Sequence, residues 1–102
     1  LDGRDKRLLQ WITDSQISAL IADNYGVEAV PAKPGPENAE HPSLPIHNHC
    51  LFKLGLNLGE IWWLQDLALW LRGKKRSRFL LTAPPLRLPG AVGSPATPVA
   101  SV

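Results

Sequence analysis

The stretch PIHNHCLFKLGLNLGE, residues 45–60, reads as a complete passage from helix to strand. Pro45 suits the first turn of a helix, where its missing N–H would have no partner anyway. The helix continues through Lys53, and Gly55 ends it, because glycine readily takes the left-handed conformation that closes helices. Leu56 to Leu58 is short and apolar, as a strand is, and Glu60 follows Gly59. A helix from His47 that turns at Gly55 into a strand brings Glu60 back beside His47. Imidazole and carboxylate are natural ligands of zinc, manganese and similar divalent ions. By spacing alone, a His and a Glu 13 apart read as a structural pair rather than a metal site. His47 and His49 are two apart, so on a helix they diverge by about 200° and only one faces a given site.

Working outward, all ten prolines fall in two stretches, 31–45 and 84–98. Proline lacks an N–H and fixes φ, so neither stretch is a helix interior. On the N-terminal side, residues 4–14 read as a helix with Leu8, Trp11 and Ile12 on one face. Asp2 and Asp5 lie near its start, where carboxylates favour the helix dipole. Residues 17–22 have the length of a buried strand, and Asp23 and Asn24 stand at its C-terminal end, where sheets flanked by helices commonly meet ligands. The loop 31–45 is long enough to be functional or disordered. On the C-terminal side, residues 62–72 read as a helix with Trp63, Leu67, Trp70 and Leu71 on one side. Residues 79–83 read as a strong strand, and 91–102 as a turn followed by a weaker β-prone segment.

The chain has 102 residues, 44% hydrophobic and 20% charged. A chain of this size buries about 65% of its extended surface, enough for one modest core. We therefore expect an α/β (α+β) fold in a single partial domain spanning 1–102. No apolar run reaches the ~18 residues of a membrane span, so no membrane partner is expected. One cysteine, Cys50, allows no internal disulfide and agrees with a cytoplasmic location. The chain begins at Leu1 and contains no Met, so we expect a piece of a longer protein. Net charge is +2, but residues 61–102 carry six basic groups and one acidic. Most of these lie in one cluster, Arg72 to Arg78. That is not the blanket basic surface of a nucleic-acid binder, and no nucleic-acid partner is expected.

Other residues invite bland readings. Cys50 beside His49 lacks the convergence that a Cys–His nucleophile needs, and reads as buried and inert. Ser94 lacks the Gly-x-Ser-x-Gly pattern and reads as a turn residue. Trp11, Trp62, Trp63 and Trp70 read as core or interface rather than a stacking platform. The basic cluster reads as a solvated helix terminus, where cations favour the dipole.

Three stretches together carry a resemblance: ALIADNYGVEAVP at 19–31, PIHNHCLFKLGLNLGE at 45–60 and FLLTAPPLRLPGAVGSPATPVA at 79–100. In order and with fitting gaps, they resemble the C-terminal half of the cyclase family of metal-dependent hydrolases, which includes kynurenine formamidase and isatin hydrolase. The resemblance runs from about Asp2 to Val102. It implies part of a swivelling β/β/α domain with a mixed sheet and flanking helices. It implies hydrolysis of amide bonds in formamides or cyclic amides, with a divalent metal, zinc or manganese, as cofactor. His47 and Glu60 match the late pair of metal-site residues. Asp23 and Asn24 match a polar pair that follows a strand, with a structural or pocket-lining role, and His49 is a further pocket-lining candidate. Gly93-Ser94-Pro95 matches a closing turn near the site.

The chain departs from the family in one respect. The family's principal ligands lie in an earlier His-x-Gly-Thr-His-x-Asp motif, which does not occur here, and His41 in Glu40-His41-Pro42 does not match it. The expected partners are therefore a small-molecule amide substrate and either the missing half or further copies of the chain as a homo-oligomer. The alternative from another class is a non-catalytic binding or assembly module made from the same piece of fold.

Overall fold

The computed structural model describes residues 1–35, 37 and 40–102, and Pro36, Asn38 and Ala39 of the proline-rich loop lie outside the described residues. The chain is α+β and divides into two compact units, Leu1–Trp62 and Trp63–Val102. Among the described residues, no helix is long and apolar enough to cross a membrane.

The first unit opens with α1, Lys6–Ser15. Asp5 caps it, accepting the N–H groups of Arg7 at 2.8 Å and Leu8 at 3.4 Å, which have no partner within the helix. Leu8, Leu9 and Ile12 form the inward stripe, with Ile12 only 1% exposed. Trp11, expected on that stripe, is 56% exposed. At about 100° per residue it stands a quarter turn beyond Ile12, past the edge of the packed face.

Strand β1, Ala19–Ile21, pairs in parallel with β2, Asn57–Gly59, and Leu20 lies opposite Leu58. Parallel neighbours require a long crossover, and here it includes the proline-rich loop and a helix. That helix begins as α2, Pro45–His47, and continues over Asn48–Leu54 as a π-helix. The helix and its stop agree with the sequence reading, while the wider, i→i+5 winding of its second part was not expected. Gly55, at φ 65°, closes it, and the Leu56 N–H donates to the Cys50 carbonyl at 2.8 Å. The core is Ile12, Val27, Ile46, Cys50 and Leu56, with half-buried leucines from α1, β1 and β2 packed on it.

The second unit holds α3, Gln65–Gly73, and an antiparallel ribbon of β3, Leu80–Thr82, and β4, Val99–Ser101. Leu81 faces Ala100 in that register, and a bridge between Pro85 and Ala96 extends it. No residue of α3 is buried, and β3, which lies within the strand expected over 79–83, is exposed throughout. Ser94, read as a turn residue, lies beyond the turn at 89–90; its hydroxyl accepts the Leu86 N–H and donates to the Pro95 carbonyl, both at 2.7 Å.

The core reading of the tryptophans is corrected. Trp11 and Trp63 are exposed, and Trp62 and Trp70 are half-buried. Helix α3 starts only at Gln65, so Trp62 and Trp63 precede it and share no helical face with Trp70. Trp63 instead donates its Nε1–H to Asp66 at 2.8 Å, and the Arg76 guanidinium lies 5.5 Å from the centre of the Trp70 ring.

Candidate metal centre

Because β1 and β2 run the same way, their C-terminal ends lie side by side. The pairing continues past the strands: Ala22 N–H donates to the Gly59 carbonyl at 2.9 Å and Trp62 N–H to the Ala22 carbonyl at 3.2 Å. Between them Ile61 adopts φ 60°. A β-branched residue enters that region only under strain, about 1–3 kcal/mol. Its N–H is held by the Asn24 carbonyl at 3.1 Å. This sharp turn follows Glu60 directly. The Glu60 Oε1 accepts the Val27 N–H at 3.0 Å and lies 3.3 Å from His47 Nε2.

His47 is held from its other side. The first N–H groups of a helix need acceptors from outside it. Leu44, at the cap position, supplies no side-chain acceptor, and Pro45 has no N–H to satisfy. The Glu28 carboxylate takes the role: Oε2 accepts the Ile46 N–H at 2.9 Å, and Oε1 accepts the His47 N–H at 2.9 Å. The same Oε1 lies 2.8 Å from the ring Nδ1 of His47. The Glu28 side chain is 0% exposed, against 24% for His47 and 30% for Glu60. The result is a carboxylate–imidazole–carboxylate chain with a buried inner end and a half-open outer end.

The outer end has the donor chemistry of a divalent-ion site. Two ligand atoms on one tetrahedral zinc, with bonds of about 2.0–2.2 Å, stand about 3.3–3.5 Å apart. The His47 Nε2 to Glu60 Oε1 separation of 3.3 Å fits that spacing. Stable zinc sites use three or four protein ligands. Among the described residues no group of three or more His, Cys, Asp or Glu is arranged to hold an ion. His47 and Glu60 therefore fit a metal as two donors of a larger set.

The remaining candidates stand apart from this pair. His49 diverges from His47 as the spacing requires, and its Nε2 lies 2.9 Å from Thr13 Oγ1 on α1. Asp23 and Asn24 are exposed beside the turn, where the Asn24 main chain, through its carbonyl to Ile61, is the part that acts. His41 is exposed in the proline-rich loop. Cys50 is buried, and burial first, then the nearby Glu28 charge, pushes its thiol up, so it stays protonated and inert.

Glu28 is the residue that sequence reasoning passed over. It sits inside the quoted stretch GVEAVP, between Val27 and Ala29, and a carboxylate set among apolar neighbours is a signal of a buried, partnered acid. Its partners lie 18 and 19 residues away across the proline-rich loop, a separation with no periodic signature.

No protein-family model and no curated protein matches this chain. Among solved structures it is similar to one described as a novel cyclase, with 39% sequence identity and a TM-score of 0.75. The match covers 92% of this chain and 28% of that one, so the chain spans a little over a quarter of that cyclase. Over nearly its whole length, then, this chain is similar in both sequence and fold to one segment of a cyclase.

Proposed function

We propose that this chain is a segment of a cyclase-family, metal-dependent hydrolase that opens amide bonds in formamides or cyclic amides, of the arylformamidase or isatin hydrolase kind. The observation that carries the reading is the His47–Glu60 pair, with Nε2 and Oε1 3.3 Å apart and each residue fixed by a separate hydrogen bond. The likeness to a cyclase at 39% identity supports it. His47 and Glu60 would hold the ion, zinc or manganese, with the remaining ligands supplied by a His-x-Gly-Thr-His-x-Asp segment outside this chain.

A divalent ion bound there supplies a low-pKa water and an electrophile for the amide carbonyl. The residues of this chain do the positioning. His47 must present Nε2 without a proton to act as a ligand. The Val27 N–H fixes one oxygen of Glu60. The outer end is half-open, with the side chains of His47 and Glu60 24% and 30% exposed.

The test is hydrolysis of N-formylkynurenine and isatin-like amides. The 102-residue chain alone is expected to be inactive. Combined with a segment bearing His-x-Gly-Thr-His-x-Asp and a divalent metal, it is expected to turn over substrate, and His47→Ala or Glu60→Ala is expected to abolish that turnover. Metal-dependent turnover by the chain as a monomer would contradict the divided site. The alternative, a non-catalytic assembly module, draws on the exposure of Phe52 at 84% and Trp63 at 73%. It predicts association without restored hydrolysis.

A further inference from the structure

We infer that Glu28 is a positioning residue that locks His47 in the tautomer leaving Nε2 free for a cation. The inference rests on the metal reading of His47 and Glu60, and extends it to a residue that would touch neither metal nor substrate.

A neutral imidazole carries one proton and has two nitrogens to place it on. Nδ1 lies 2.8 Å from Glu28 Oε1, and Nε2 lies 3.3 Å from Glu60 Oε1. The two carboxylates differ in their access to water. Glu28 is 0% exposed and Glu60 is 30% exposed. A bare Nδ1 would set a lone pair against a carboxylate oxygen that water cannot reach, an uncompensated contact in a low-dielectric setting. The same lone-pair opposition at Nε2 is relieved by solvent or by a cation. The proton therefore belongs on Nδ1, and the lone pair on Nε2 faces Glu60.

The rest of the geometry makes Glu28 a rigid reference. Its two oxygens are already fixed by the Ile46 and His47 N–H groups, so the ring is oriented against the main chain at the start of its own helix. Oε1 accepts both the backbone N–H and the ring Nδ1–H of His47, which ties the ring to its own backbone through one atom. Gly3 is buried over this carboxylate, and a Cβ there would collide with Glu28 Oε2 and crowd Pro45. The Gly3 backbone thus lies directly against Glu28 Oε2. Outer partners of this kind orient ligating histidines and set their tautomer, and their loss weakens metal affinity by about 10–100-fold.

The experiment uses the 102-residue chain labelled with ¹⁵N-histidine, without metal, and reads the two ring nitrogens of His47 by NMR across neutral and mildly alkaline pH. The expected result is a neutral ring protonated on Nδ1. Glu28→Gln is expected to move the ring toward the Nε2-protonated form and to weaken Zn²⁺ binding by about 10–100-fold. A wild-type ring protonated on Nε2 overturns the inference, and needs no variant to fold. So does a folded Glu28→Gln chain with an unchanged tautomer and unchanged Zn²⁺ affinity. If the wild-type ring is protonated on Nδ1 and shifts in Glu28→Gln, yet His47→Ala binds Zn²⁺ as wild type does, the role of Glu28 in fixing the tautomer stands and the metal reading falls.

Discussion

Residues 1–62 and residues 63–102 are both rich in apolar side chains, yet they use them differently. The first unit buries Ile12, Val27, Ile46, Cys50 and Leu56, and seats a buried carboxylate, Glu28, among them. The second unit contributes no buried apolar side chain: α3 is half-covered at best, and Leu80 and Leu81 of its ribbon are 65% and 37% exposed. The difference is one of connection. A parallel pair such as β1–β2 is formed only when a crossover returns over it, and the crossover brings its own apolar face. A two-stranded antiparallel ribbon such as β3–β4 closes locally, without anything to cover it, and is marginal by itself. The unit that had to fold around a crossover is also the unit that holds the candidate site.

That contrast can be broken by substitution, and the largest effects belong to the first unit. Ile46→Ala removes a side chain that is 0% exposed, and is expected to cost about 2–5 kcal/mol in urea unfolding. Leu80→Ala in the ribbon is expected to cost under ~0.5 kcal/mol by the same measurement. Equal losses at the two positions would mean that β3 is covered in solution, and would favour the oligomer or the association with a further segment expected from the sequence.

Next in size is the loss of the Glu28 carboxylate. Glu28→Ala leaves the N–H groups of Ile46 and His47 without their acceptor in a buried setting, at a cost of about 1–3 kcal/mol. Glu60→Ala removes a 30%-exposed acceptor of one N–H and is expected to unfold at a urea midpoint closer to that of wild type. A reversal of that order would show that the outer carboxylate, not the inner one, carries the structure.

The basic cluster gives a smaller effect. Lys74→Gln and Lys75→Gln, on exposed residues, are expected to change stability by under ~0.5 kcal/mol. Arg76→Gln also loses the guanidinium over Trp70, and is expected to cost about 0.5–1 kcal/mol. Tryptophan fluorescence should report the change at Arg76 and not at the lysines.

The smallest effect is in acid. The Lys33 ammonium, with the Arg4 N–H, holds the Asp2 carboxyl below its usual 3.8, and the N–H groups of Arg7 and Leu8 do the same for Asp5. Between the folded and unfolded values the unfolded chain binds more protons, so stability rises with pH across that window. The contribution is therefore complete above about pH 4 and is lost as pH falls through the depressed folded values. Circular dichroism of α1 along an acid titration should show the loss, and Asp5→Asn, which keeps a capping oxygen, should shallow the slope.

How much of this was legible in the sequence follows the same division. Pro45, Gly55 and Glu60 each act through a local rule, and the helix, its stop and the return of Glu60 to His47 could be read from them. The π-helical winding over Asn48–Leu54 could not, because no periodicity or capping rule applied to that stretch separates a π-helix from an α-helix. Trp11 was misplaced because a wide helical face was read from three residues, while packing used Leu8, Leu9 and Ile12. Glu28 was missed because its partners are met only after the chain has crossed the loop. Residues 79–83 read as a strand from their apolar run and β3 lies within them, while its exposure depends on what lies against a strand, which hydropathy does not report.

The central claim is that His47 and Glu60 are two ligands of one divalent ion. Calorimetric titration of Zn²⁺ into the 102-residue chain tests it most directly. Two donors fall short of a stable set, so the account predicts weak binding that is lost in His47→Ala and in Glu60→Ala alike. One tight stoichiometric site that survives both substitutions would contradict it.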